Sequence, residues 1–202
     1  SNVELLDALA TDFRESHFDQ KQMIRVILNS RTFQRSARPN PFNRGDHKYF
    51  SRRFEKLLAA EQLLDAICHL TGIPENFEGV PLGTPATALA NSPDNEFMKV
   101  FGQPDRSTAC ACERSSESNL AQAIQLFNGP LIHAKLGDKE NRFHQAIGAE
   151  KSDDEVICEL YLAGLCRRPE PAEIEAARAH ISSKENRSEA FEDICWALIN
   201  TN

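Results

Sequence analysis

The sequence has no long hydrophobic run and few cysteines, and each shortage excludes a class of protein. No apolar run approaches the roughly 18 residues that a transmembrane helix needs, so we expect no membrane span. Six cysteines in 202 residues are too few for a disulfide scaffold. With 41% hydrophobic and 26% charged residues, the composition is typical of a globular chain and excludes wholesale disorder.

The chain also lacks the positive charge of a general nucleic-acid-binding protein. Its 23 Lys and Arg stand against 30 Asp and Glu, which gives a net charge of -7. An overall negative protein repels the densely charged phosphate backbone. We therefore expect no nucleic-acid partner, although a local basic patch is compatible with this balance.

Both ends of the sequence look like cuts. The chain begins SNVELLDALA, without a methionine or the basic and apolar regions of a signal peptide. It ends at INTN, directly after an amphipathic pattern that predicts a helix. We expect the chain to be a fragment of a larger protein.

Apolar residues recur at spacings of three and four over most of the chain, which predicts helices. Ser152 and Glu155 form the S-x-x-E pattern of a capping box, and Pro171 suits the first turn of a helix. Residues 73–94 hold four of the ten prolines and lack a helical period. The prediction is an all-α domain of about eight to ten short helices with one long loop at about 73–94. We expect one domain over 1–202, with a subdivision into 1–150 and 151–202 as the alternative.

A C-x-C pattern is the sharpest chemical signal. Cys110 and Cys112 precede a predicted helix N-terminus, where backbone N–H groups and the helix dipole favour a thiolate. Charged residues follow directly, and an enzyme site would need them to converge with a residue from elsewhere. The candidate site residues are Cys110, Cys112, Glu113, Arg114, Arg31 and Asn119.

The alternatives for this loop are structural thiols, a strained disulfide or a surface network of charges. A structural zinc site needs about four ligands, and no second closely spaced pair of Cys or His accompanies the C-x-C, so we expect no metal. Cys68 and His69 resemble the end of a haem-attachment motif, C-x-x-C-H. The first cysteine of that motif is replaced by Asp65, so we expect no cofactor in this fragment.

Residues 25–53, which we call the basic connector, hold eight basic residues and one acid, Asp46. Guanidinium groups pair bidentately with carboxylate and sulfate groups. Arg35, Arg38 and Arg44 are therefore a candidate patch for an anionic ligand such as an acidic polysaccharide. The alternative is a solvated connector whose charge is balanced by the acidic second half of the chain.

Several segments together carry a family resemblance: ELLDALATDF, IRVILNSRTFQRS, AAEQLLDAICHLTGIPENF, FGQPDRSTACACERSSESNLAQAIQLFNG and ELYLAGLCRRPEPAE. They resemble the C-terminal part of the planctomycete-specific PSD-one family, a family of unknown function in large exported bacterial proteins. The resemblance runs over nearly the whole chain, and the phrase from Cys110 to Arg114 is its most specific part.

The resemblance implies a context rather than an activity. It implies upstream domains in the same chain, including a cytochrome c-like domain, and an exported or periplasmic location. An exported setting permits disulfides, which favours either a bridge between Cys110 and Cys112 or a long-range bridge. We expect a non-catalytic binding or scaffolding module associated with a haem-bearing domain. The alternative is part of an exported redox or polysaccharide-acting enzyme with the C-x-C loop at its site.

Overall fold

A computed structural model describes residues 2–46, 48–54, 56–89, 93–103 and 120–201. The α-helices in these ranges are α1 (Val3–Glu15), α2 (Gln20–Leu28), α3 (Ala60–Thr71), α4 (Glu96–Val100), α5 (Leu120–Asn128), α6 (Pro130–Leu136), α7 (Arg142–Gly148), α8 (Asp153–Leu165), α9 (Pro171–Ser183) and α10 (Arg187–Ile199). A 3₁₀ turn spans Ala86–Ala88, and the described ranges contain no β-strand. The all-α prediction is confirmed.

Helix ends follow the local signals in the sequence. Ser152 and Glu155 form the predicted capping box at the start of α8. Pro171 lies in the first turn of α9, as predicted. Gly72 ends α3 with a φ of 76°, a left-handed conformation that glycine adopts without steric cost. These signals act within one helical turn, which is why they can be read from sequence.

The chain divides into two compact units, residues 1–57 and residues 58–202. The subdivision into 1–150 and 151–202 stays a prediction. In the first unit, α1 packs on α2, and the rings of Phe13 and Phe18 meet edge to face at 5.4 Å between centroids. None of the residues in these two helices is buried. None of the described residues of this unit belongs to the buried apolar core.

The second unit has an apolar core with α3 at its centre. Helix α3 packs against α4, α6, α7, α8 and α10 and against the 3₁₀ turn. Fully buried side chains come from several of these helices, including Leu64, Met98, Ile132, Phe143 and Phe191. This burial is the main stabilising contribution to the unit.

The segment after α3 is a long loop, as predicted, and it is anchored from within that helix. The Asp65 carboxylate accepts hydrogen bonds from the amides of Ala86 and Thr87 at 2.7 and 3.0 Å. It also accepts one from the Thr87 hydroxyl at 2.7 Å. Asp65 therefore caps the 3₁₀ turn, and the residue that breaks the haem motif in the sequence has a structural role here.

Candidate functional site

Most of the predicted C-x-C site lies outside the ranges that the structure describes. The residues outside the described ranges are Cys110, Cys112, Glu113, Arg114 and Asn119. Their convergence with a residue such as Arg31 stays a prediction. In the described ranges the cysteines Cys68, Cys158, Cys166 and Cys195 are all free thiols, and no group of three or more His, Cys, Asp or Glu side chains could hold a metal ion.

The basic connector folds back on itself through hydrogen bonds between its two arms. Arg35 donates from Nη1 to the Ser51 carbonyl at 3.2 Å, and Arg52 donates from Nη1 to the Ala37 carbonyl at 3.4 Å. The Arg53 amide donates to the Ser36 carbonyl at 3.2 Å. The acceptors are neutral carbonyls, so these bonds hold the loop without cancelling the positive charge of Arg35 and Arg52.

Asp46, the one acid of the connector, organises its tip. Its carboxylate accepts hydrogen bonds from the amides of Lys48, Tyr49 and Ser51 at 2.7 to 2.9 Å, and from the Ser51 hydroxyl. These bonds, that of the Ser51 hydroxyl first, hold the pKa of Asp46 well below its usual range. Asp46 is thus engaged by its own loop and forms no ion pair with a described arginine.

Arg38 and Arg44, two members of the predicted anionic-ligand patch, are exposed. The third member, Arg35, is exposed as well but is fixed to Ser51, as described above. Aromatic rings flank these charges, and Phe42 is 100% and Tyr49 81% exposed. The connector therefore presents both exposed positive charge and exposed aromatic rings to solvent.

Helices α1 and α2 carry a second unusual surface. Leu6 is 64% exposed, and Ile24, Ile27 and Leu28 are between 40% and 54% exposed. On α2, the spacing of Ile24, Ile27 and Leu28 is typical of a helix face that packs against another element. In the described part of the chain they do not enter a core. We call this set, with Leu5 at 55% exposed, the apolar helix face.

The second unit contains a cavity of about 570 Å³ beside the end of α3, lined in part by Cys68, His69 and Arg142. Arg142 donates from Nη2 to the His69 carbonyl at 2.7 Å and from Nε to the Leu70 carbonyl at 3.1 Å. Its guanidinium also pairs with Glu159 at 3.4 Å. The guanidinium of Arg142 therefore donates hydrogen bonds to carbonyls in the last turn of α3, which have no partner within the helix. Sequence reasoning missed this structural role.

A buried lysine stands beside this cavity. Lys135 is 5% exposed, and its ammonium group donates to the carbonyls of Ile73 and Pro74 at 3.1 and 3.3 Å and pairs with Glu75 at 2.9 Å. The neighbouring Cys68 thiol has its pKa raised by burial, an effect that the ammonium of Lys135 opposes. A thiol with a raised pKa is a poor nucleophile at neutral pH. This cluster therefore anchors the loop after α3 rather than activating a cysteine.

A third group of side chains lines a groove of about 450 Å³ between α8, α9 and α10. His180 Nε2 lies 2.9 Å from the Asp193 carboxylate, and Lys184 pairs with the same carboxylate at 2.7 Å. The Lys184 side chain, ahead of His180, holds the pKa of Asp193 below its usual range. Tyr161 and Trp196 contribute aromatic surface to the groove. Sequence reasoning missed this group because its members lie on different helices.

A scan against family models matches residues 1–181 to PSD1, described as a protein of unknown function, DUF1553. The chain belongs to the PSD1 family. No curated protein and no solved structure matches it. The family resemblance read from the sequence is thereby confirmed, while PSD1 membership by itself specifies no reaction, ligand or partner. Within the described ranges, no helix of this PSD1 chain combines the length and apolar character needed to cross a bilayer.

Proposed function

We propose that this PSD1 chain is a non-catalytic binding or scaffolding module of an exported multidomain protein, and that it associates with an upstream haem-bearing domain. The observation that carries the proposal is the apolar helix face of α1 and α2. Its side chains stay exposed, although Ile24, Ile27 and Leu28 have the spacing of a packed helix face. Exposed apolar patches of this kind mark sites of association between proteins.

The composition around the apolar helix face indicates the charge of its partner. Residues 1–28, which contain α1 and α2, hold 3 basic and 5 acidic residues, a net charge of -2 (3 minus 5). A complementary surface combines an apolar centre with a basic rim, because charges at the rim steer and orient association. We propose a domain of the same longer protein, cytochrome c-like as the resemblance implies, as that partner.

The experiment is a binding measurement between this chain and the separately expressed haem-bearing domain. Haem absorbance followed through size-exclusion chromatography is expected to shift to the elution volume of the complex. Replacing Leu5 and Ile24 by Asp is expected to abolish the shift, because a charge on each helix disrupts an apolar contact. Leu82→Asp, at a residue 70% exposed in the second unit, is the matched control and should keep the complex. Absence of co-elution, or equal loss in the control, would count against the proposal.

We propose further that the chain carries no cofactor of its own and that it is exported. Metal analysis and the visible spectrum of the purified chain test the first statement, and stoichiometric metal or haem would contradict it. Fractionation of the source cells tests the second. Recovery of the protein with cytoplasmic markers would contradict export.

A further inference from the structure

The two units differ strongly in charge, and the difference is concentrated in the basic connector. Residues 58–202 hold 12 basic and 23 acidic residues, a net charge of -11 (12 minus 23), against +4 (11 minus 7) for residues 1–57. The connector itself carries eight basic residues and one acid. Seven of these basic residues follow α2, in a loop whose two arms are joined by the hydrogen bonds of Arg35 and Arg52.

Within the described parts of the chain, this positive charge is not neutralised by ion pairs. None of the connector's basic side chains forms an ion pair there. Arg53 lies over the ring of Phe33 at 5.2 Å, and Lys48 over that of Tyr49 at 5.7 Å. Cation–π contacts of this kind orient a side chain but leave its charge available to an anion. Arg38 and Arg44 are exposed, and Phe42, which lies between them in sequence, has a fully exposed ring.

We propose that the basic connector binds an acidic polysaccharide. Guanidinium groups match the anionic groups of such a polymer, whether planar carboxylates or tetrahedral sulfates, because two N–H groups can donate parallel hydrogen bonds to two oxygens of either group. The exposed rings of Phe42 and Tyr49 offer flat apolar faces against which the C–H faces of sugar rings pack. Arg38 and Arg44 are the residues that contact the anionic groups, and Phe42 contacts the sugar.

Charge density favours a polysaccharide over a nucleic acid. Duplex DNA carries a charge about every 1.7 Å along its axis, so a bound duplex brings many phosphates near the protein. The net charge of -11 on residues 58–202 disfavours this. A polysaccharide with one carboxylate on each sugar, such as alginate, spaces its charges by whole sugar rings, so fewer of its charges meet this repulsion. This inference goes beyond the proposed protein-binding function and uses different residues.

Affinity electrophoresis of the whole chain through gels that contain alginate or dextran sulfate tests the inference, with neutral dextran as the blank. Retardation by alginate identifies carboxylate recognition, retardation by dextran sulfate alone identifies sulfate recognition, and either supports the proposal. The R38Q/R44Q variant is expected to lose affinity by about tenfold, because it removes two exposed charged contacts to the polymer. F42A should lose affinity without a change in charge.

The matched control is K139Q/R168Q, which removes the same charge from two exposed positions of the second unit. Its affinity should stay within about twofold of that of the wild type. Equal losses in the two double variants, no retardation by either polymer, or tighter binding of single-stranded DNA of equal charge would overturn the proposal. Far-UV circular dichroism checks that each variant is folded. The apolar-face variants at Leu5 and Ile24 should bind the polymer normally, which separates this test from that of the proposed function.

Discussion

Replacing Lys135 by Met tests the account of the second unit most directly. The substitution keeps much of the apolar stem of the side chain but removes its ammonium group. That group bonds two carbonyls and pairs with Glu75, and the Lys135 side chain is only 6% exposed. The variant therefore leaves the carbonyls of Ile73 and Pro74 without this donor and the Glu75 carboxylate without its cation, with the Asn95 side chain, at 3.5 Å, still donating to it.

The expected loss of stability follows from these orphaned groups. Removing one partner of a buried ion pair costs about 3 to 5 kcal/mol. The Glu75 side chain is 24% exposed and can recover some hydration, so we expect the lower end, about 3 kcal/mol. For a unit of this size that corresponds to a fall in melting temperature of about 6 to 12 °C.

Urea unfolding followed by circular dichroism at 222 nm measures this loss. Lys139→Met is the control, since Lys139 is exposed and close in sequence, and its free energy of unfolding should change by less than about 0.5 kcal/mol. Adding Glu75→Gln to Lys135→Met should recover about 1 kcal/mol or more, because the unpaired charge is then gone. A loss below about 1 kcal/mol for Lys135→Met would refute the reasoning.

Three further predictions concern thiols, a carboxylate and the loop after α3. Cys195 is fully buried, and burial raises the pKa of its thiol to about 12. Peptide mapping after thiol labelling of the native protein should therefore find Cys195 unreacted, while the exposed Cys166 reacts. Labelling of both thiols at equal rates would contradict this prediction. Arg167 lowers the pKa of the Glu173 carboxyl to about 2. The ion pair therefore stabilises the folded protein fully above pH 4.5, and this contribution is lost as the pH falls towards 2. Carboxyl NMR should show a Glu173 titration midpoint near 2, and the midpoint should rise in Arg167→Gln. Asp65→Ala should cost about 1 to 2 kcal/mol of unfolding free energy and speed proteolysis of the loop, and unchanged cleavage would argue against its capping role.

Much of the secondary structure could be predicted because its signals are local. The capping box of Ser152 and Glu155 and the glycine at position 72 act through hydrogen bonds and backbone angles within a single turn. Asp19 is another such signal, since its side chain accepts a hydrogen bond from the Gln22 amide at the start of α2. No tertiary contact is needed for any of these, so the sequence alone specifies them.

The candidate site was predictable only in part. The charge of the basic connector is a property of composition and could be read directly, but its fold-back could not, because Arg35 and Ser51 are distant in sequence. The sequence equally singled out Arg35, Arg38 and Arg44. Only the hydrogen bond to the Ser51 carbonyl distinguishes Arg35, which is held by the loop, from the other two.

What the sequence determined by itself was the helical class, the helix ends and the unequal distribution of charge, because these depend on residue type and short spacings. Only the tertiary structure decided which amphipathic faces are buried. Leu64 and Ile24 both belong to helical apolar patterns, yet the first is fully buried and the second is 54% exposed. Burial depends on what packs against a helix, and a side chain such as Lys135 becomes buried only when distant carbonyls and a carboxylate replace its water.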